Sequence, residues 1–421
     1  MNQIQATNQS RSLKSRMFAY LRLFENWINL RWNKSSAKRP IGRPMVVGLL
    51  SAPMGLGAGA RYIYAGLSEL NFFPSSLDVT AVIQPDRSDL DWKPQSESVD
   101  DGKGPIIIHV NPPELPIIFS SISHKVIKHR FLIGYWAWEL PIMDPSWRKY
   151  IKLFDEIWVP SRFVAKAVAQ YSSTPVHVIG YPVAVTEQHE KIPVQHHRQN
   201  RGKQFIILCA CDVRSSTSRK NPKAAIAAFQ AAFADNSNVK LVIKCSTIKD
   251  ASSNEIVDIV QQANDTRIEI NDNVLCDIEF DDLISKSDVF ISLHRSEGFG
   301  LTIAKSLILG VPVIVTNWSG NTDFSHCSGV WPISYKLVDA ISSDNQYSFK
   351  AANWAEPNIN HAASILRYIF NQSILTRCRM ASRIKEDAKF FFSSSEFAKN
   401  LSRSSASFKL FEAVQKIGTK T

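Results

Sequence analysis

The sequence predicts an α/β protein built from two doubly wound domains, and three observations carry the prediction. Short apolar runs of strand length alternate with amphipathic helical stretches along most of the chain, the pattern of repeated βαβ units on a parallel sheet. A glycine-rich turn joins strand to helix once in each half, at 52–61 and at 297–301. Between the halves, residues 183–203 lose apolar periodicity and gain charge, as an interdomain linker does. A length of 421 residues accommodates two domains, and a hydrophobic content of 44% is ordinary for a globular chain. The expected division is a basic amphipathic extension at 1–45, an N-terminal domain at 46–182, the linker at 183–203, a C-terminal domain at 204–385 and terminal helices at 386–421.

In chain order, residues 13–32 predict an amphipathic helix, with Leu13, Met17, Tyr20, Leu21, Phe24, Trp27 and Ile28 at helical spacing. Nine Lys or Arg and one acid, Glu25, lie between Arg11 and Arg43, which suits an interfacial membrane helix or a helix packed on the protein body. A strand follows at 45–50, then a glycine-rich turn with Gly55 and Gly57 leading into a helix through Tyr64 and Leu67. The spacing is not that of a dinucleotide fingerprint, which argues against nicotinamide or flavin binding. The run 106–110 is a strand stopped by Pro112 and Pro113, with His109 and Asn111 at its end. A strand from Phe131 leads into an aromatic loop with Trp136, Trp138 and Glu139, side chains suited to forming a pocket that stacks on and hydrogen-bonds a sugar, or to packing alone. Further elements are a helix at 146–154, a strand at 156–161, a helix at 162–171 capped by Ser161, and a strand at 176–179.

The second half opens with the strand 204–211 and a helix that begins at Pro222. Arg219 and Lys220 stand just ahead of that helix, where basic side chains oppose the helix dipole unless an anion neutralises them. Strands are expected at 239–245 and 267–271, with Asp281 and Asp282 as N-terminal acids of a short helix. A βαβ unit then runs from the strand 289–293 through Glu297, Gly298, Phe299 and Gly300 into a helix at 301–309 and on to the strand 311–316. Glycines at such a turn, with the unpartnered amides of the helix behind them, cradle an anion such as a diphosphate. A polar turn at 319–323 includes Gly320 and Asn321, WAEP at 354–357 precedes a helix at 359–370, and 374–415 is helical.

The stretch from His294 to Phe324 closely resembles the donor-site segment of retaining glycosyltransferases of family 4, which have the GT-B fold: two Rossmann-like domains facing a central cleft. The resemblance covers about 46–400 and is most specific at 292–324. It implies that Glu297 contacts donor-sugar hydroxyls and that the amides of Gly298, Phe299, Gly300 and Leu301 hold the sugar and diphosphate. It makes Lys220 the lysine that grips the diphosphate, with Arg219 or Arg214 as partner, and suggests a second contact near Gly320 and Asn321. Either Asn111 or His109 takes the place of a catalytic His, Gly55 and Gly57 face the cleft, and 267–280 lies where a nucleobase binds. Lys305 departs from the pattern: the family has there a Glu that binds the ribose, so ribose recognition is altered or lost.

The net charge of +11 favours anionic partners, among them nucleotide sugars and membrane surfaces. Six cysteines without a Cys-x-x-Cys pair are expected as core thiols in a reducing compartment. No run reaches about 18 uninterrupted apolar residues, no secretory leader is expected, and neither a metal motif nor a nucleic-acid-binding module is present. The expected activity is metal-independent transfer, with no cofactor, of a hexose or deoxyhexose from a nucleoside-diphosphate sugar. The acceptor is a glycan or lipid-linked oligosaccharide, as in bacterial polysaccharide or O-antigen assembly. The expected place is the cytoplasm, peripheral on the inner membrane face through 13–32. The competing expectations are a non-catalytic GT-B protein that binds a nucleotide or partner, and a sugar-nucleotide epimerase.

Overall fold

The computed structural model describes residues 42–84, 92–94, 98–187, 189, 204–212, 215–245, 254–342, 347 and 352–404. The helix expected at 13–32, Arg214, most of the linker and residues 405–421 lie outside them.

Two six-stranded sheets form the frame, and every pairing within them is parallel. The first contains β1 (Met45–Gly48), β2 (Ser75–Asp78), β3 (Ile106–His109), β4 (Leu132–Tyr135), β5 (Glu156–Val159) and β6 (Val176–Val178), in the order β2-β1-β3-β4-β5-β6. The second contains β7 (Phe205–Cys211), β8 (Val239–Cys245), β9 (Ile268–Asn271), β10 (Val289–Ser292), β11 (Val313–Thr316) and β12 (Val330–Ile333), in the order β12-β11-β10-β7-β8-β9. Their central strands are apolar and buried because helices cover both faces, as parallel sheets require.

The carboxyl edges of the two sheets face each other. Ser161, just past β5, donates its hydroxyl to the Gly298 carbonyl at 2.7 Å. The Ser296 hydroxyl donates to the Glu139 carbonyl. Arg162 meets Asp323, and the Thr186 amide donates to Asp281 Oδ2 at 2.8 Å. One apolar cluster runs from Val46 and Ile63 through Tyr181 to Phe299, Ile303 and Phe324, and on to Phe392 and Phe397, so the domains share a core. The helix Ser394–Leu401 packs back on the helix Gly55–Glu69, where the Phe397 ring stands against Gly66.

Local details differ from the sequence reading, among them these four. The helix Gly55–Glu69 takes in the glycine-rich run, and the turn itself is 49–54. A Cβ at Gly57 would stand 2.3 Å from the Ala52 carbonyl oxygen, so glycine there lets the first helical turn press on the preceding chain. The polar edge strand β2 carried no apolar signal. The helix after β9 begins at Asp277 rather than near Asp281, because Cys276 and Glu279 form a capping box. WAEP is strand: β14 (Asn353–Pro357) pairs antiparallel with β13 (Tyr335–Asp339).

Candidate active site

Topology locates the site. In the second sheet the chain winds outward in opposite directions from β7 and β10, so the carboxyl ends of those two neighbours flank a crevice. In the first sheet β1 and β3 make the equivalent switch. The facing edges enclose a cleft of about 670 Å³. Its walls include Gly55, Asn111, Glu114 and Glu139 from the first domain and Lys220, Glu297, Gly298, Gly300 and Lys305 from the second.

Glu297 is the centre of charge. It follows β10, and its amide is held by the Ser319 hydroxyl at 2.8 Å. Lys220 Nζ lies 2.5 Å from its Oε1 and Arg219 Nη1 lies 3.3 Å away. Burial alone would raise this carboxyl, but Lys220 and Arg219 bring it down to about 2. Arg219 is fully buried, donating to the Ser296 carbonyl at 2.8 Å and to the Ser215 hydroxyl at 2.7 Å. Its Nη2, the nitrogen that donates to Ser215, also pairs across the domain boundary with Glu139 at 3.1 Å, and Tyr347 donates to the same carboxylate at 2.5 Å. Arg219 therefore holds two acids in place, while the Lys220 side chain, about a fifth exposed, is the cation within reach of a ligand.

Beside Glu297 the chain enters the helix Leu301–Ile308 through Gly300, whose φ of +96° is the left-handed region. The first amides of that helix have no intrahelical partners and open on the cleft wall. A Cβ at Gly298 would meet the Ala137 carbonyl oxygen at 2.9 Å, and one at Gly320 would meet the Gly298 carbonyl oxygen at 2.1 Å. Gly320 and Asn321 thus lie behind the loop: the Gly320 amide donates to the Glu297 carbonyl and the Asn321 amide group to the Thr316 carbonyl, both at 2.9 Å.

The other expected residues fall into two groups. Asn111 lines the cleft, its side-chain oxygen accepting the Ala137 amide at 3.0 Å. His109 is fully buried behind it, stacked on Tyr135 and bonded to Tyr181 at 2.9 Å, and burial pushes its imidazole down to about 4. Trp136 packs edge-on against Phe154 in the first domain's core, and Trp138 donates to the Ile142 carbonyl and packs on Trp147. The structure places both indoles in the core and off the cleft wall, unlike the acceptor pocket expected of them; Glu139 alone of that trio reaches the cleft. Lys305 reaches the cleft as one half of a buried ion pair, 2.7 Å from Asp281 Oδ1, with Asp277 at 4.0 Å. Asp281, Tyr347 and Glu114 were not singled out from the sequence as site residues; only the fold brings them to this wall. Among the described residues no three His, Cys, Asp or Glu gather as a metal site would need, and no helix is long and apolar enough to cross a membrane.

Residues 195–325 match the family model of glycosyl transferases group 1, a span that includes Arg219, Lys220 and the Glu297 loop. A search of curated protein sequences returned no match. Among solved structures, HepE of Anabaena in complex with UDP and glucose superposes with a TM-score of 0.58 at 10% identity, covering 86% of this chain and 98% of that one. A glycosyltransferase from Rickettsia africae gives 0.54 at 18% identity, covering 88% and 96%. A variant of TarM from S. aureus, in complex with fondaparinux, α-GlcNAc-glycerol and UDP, gives 0.51 at 14% identity, covering 71% and 54%. The chain thus spans about half of the TarM chain and nearly all of the other two. The fold is GT-B. Likenesses at such identities speak to that architecture, and the group 1 match falls on the domain that carries the Glu297 cluster.

Proposed function

We propose that this GT-B protein is a retaining, metal-independent glycosyltransferase that moves a hexosyl or deoxyhexosyl group from a nucleoside-diphosphate sugar to a hydroxyl of a glycan or lipid-linked oligosaccharide. One observation carries the reading: Lys220 and Arg219 converge on Glu297 beside the open amides of the helix Leu301–Ile308, at the switch point of the second sheet. Two jobs are combined there. A diphosphate at the helix N-terminus receives backbone amides and draws the Lys220 ammonium. As Lys220 turns to phosphate, Glu297, ionised at any physiological pH, is released to accept hydrogen bonds from sugar hydroxyls. Charge developing on the departing diphosphate is then met by groups already in position.

The structures with bound UDP among the neighbours support a uridine donor as the first to try. A net charge of +11, with the basic stretch near the N-terminus, supports work at the cytoplasmic face of a membrane on a polysaccharide or O-antigen intermediate. The test is a thermal-shift screen of UDP-, GDP- and dTDP-sugars on the wild type and Lys220→Ala. A nucleotide sugar should raise the melting temperature of the wild type and fail to raise that of the variant. Equal shifts in both, or none with any nucleotide, would refute the assignment.

A further inference from the structure

We infer that Glu114 is the acceptor-side carboxylate of this cleft, receiving a hydrogen bond from a hydroxyl of a neutral, polyol-type acceptor. The inference rests on the glycosyltransferase reading and adds to it the chemistry of the second substrate. Glu114 ends the short helical turn Pro112–Glu114 that follows β3, on the first-domain wall with Asn111, Ala137 and Glu139. That wall faces the Glu297 loop, since Ala137 lies against Gly298.

Three features separate Glu114 from its neighbours. First, Glu297 is engaged by Lys220 and Arg219, Glu139 by Arg219 and Tyr347, and Asp281 by Lys305 and the Thr186 amide. Glu114 has a buried carboxylate oxygen, Oε2, with no hydrogen-bond partner among the described residues. An unmet buried acceptor is unfavourable, so a donor supplied by a ligand is favoured there. Second, two prolines fix the backbone ahead of it and the Asn111 side chain is tied to the Ala137 amide, so the turn that carries Glu114 is held rigidly on the wall. Third, burial pushes its titration up to about 7, with the Glu139 carboxylate adding to the rise. Glu139 is the charged group acting on it, and Arg219 and Tyr347 lie beyond Glu139. A wall bearing two carboxylates favours hydroxyls, which donate, and disfavours acceptors ending in phosphate or carboxylate.

The experiment compares octyl β-D-glucoside with octyl β-D-glucuronide as acceptor probes, using whichever UDP-sugar stabilises the wild type. The wild type, Glu114→Gln and Glu114→Ala are each assayed for acceptor KM, kcat and the thermal shift given by UDP, between pH 6 and 8. The expected result is transfer to the glucoside in preference to the glucuronide. Acceptor KM in the wild type should fall as pH rises through about 7. Both variants should raise it about ten- to a hundredfold and flatten that profile, with the UDP shift unchanged. A wild-type acceptor KM in the variants, or equal use of the glucuronide, would overturn the inference while leaving the donor site standing. Variants that lose the UDP shift would also overturn it, by assigning Glu114 to the donor or to the fold. A wild type that no nucleotide stabilises would remove the glycosyltransferase reading, and this inference with it.

Discussion

Lys305 and Asp281 offer a sharp physical test, because two opposite charges are buried there against each other. The Lys305 side chain is 8% exposed and that of Asp281 is 0% exposed, with Nζ 2.7 Å from Oδ1. Burial alone would lower the lysine, yet Tyr62, Asp281 and Asp277 hold it above its ordinary value, so it is charged at neutral pH. Replacing one partner strands the other. Lys305→Met leaves the Asp281 charge buried and uncompensated, a loss of about 3–5 kcal/mol. For a domain of this size that lowers the melting temperature by about 6–20 °C. Lys305→Glu should be worse still, since it adds a third acid beside Asp281 and Asp277. Removing both charges, as in Lys305→Met with Asp281→Leu, should return stability to within about 1–2 kcal/mol of the wild type, the remainder being the Thr186 amide left without its acceptor. The assay is urea unfolding of the wild type, Lys305→Met, Asp281→Leu, the double variant and Lys305→Glu, followed by circular dichroism and by tryptophan fluorescence, with coincident transitions required before free energies are compared. A Lys305→Met protein within about 1 kcal/mol of the wild type, or single and double losses that simply add, would show that the pair carries no coupling and refute the reasoning.

Three further outcomes follow from the same geometry. Glu297→Gln should lower transfer by about a hundredfold or more while folding is retained, because Arg219 keeps Glu139 as its counter-ion; near-normal turnover would remove Glu297 from the site. His109 and His294 are both pushed down to about 4 by burial, so each stays neutral when folded but protonates near 6.5 when unfolded. The unfolded chain then binds more protons between these values, and stability should fall as pH drops from 6.5 toward 4, by about 1.4 kcal/mol per unit for each histidine; a flat profile over that window, read by thermal unfolding, contradicts their burial. Gly320→Ala places a methyl 2.1 Å from the Gly298 carbonyl oxygen, so it should displace the donor loop and abolish nucleotide-induced stabilisation; a wild-type UDP shift in that variant would mean that the loop is not held from behind.

How much of this was legible in the sequence depended on the range of the forces involved. The βαβ unit around Glu297 could be read directly, since a buried strand, a glycine turn and the helix Leu301–Ile308 are set by local periodicity. The Ser161 cap could be read for the same reason: its hydroxyl accepts the Val164 amide three residues on. Trp136 and Trp138 could not be placed, because an indole that packs against Phe154 or Trp147 and one that stacks on a sugar have the same local sequence. The strands β2 and β14 were missed because a polar edge strand and a hairpin strand carry little apolar alternation.

The charges were the least legible part, and they decide the chemistry. Arg219 meets Glu139 across 80 positions of chain and Glu297 across 78, and no local signal marks either meeting. The consequence is a division of labour that spacing could not suggest. Arg219 and Lys220 are adjacent in sequence and both read as diphosphate ligands, yet the fold buries the first as a brace for two acids and leaves the second partly exposed on the cleft. Asn111 and His109 likewise part at the end of β3: His109 is its last residue and sits in the core, whereas Asn111 lies past the strand, at the start of the Pro112–Glu114 turn, and lines the cleft. The same short stretch then carries Glu114 to the wall with a buried oxygen that no donor among the described residues meets. On the inference above, a substrate hydroxyl is what that oxygen lacks, and the acceptor side of the cleft is better defined by an unmet acceptor than by the indoles of Trp136 and Trp138, which lie off the wall.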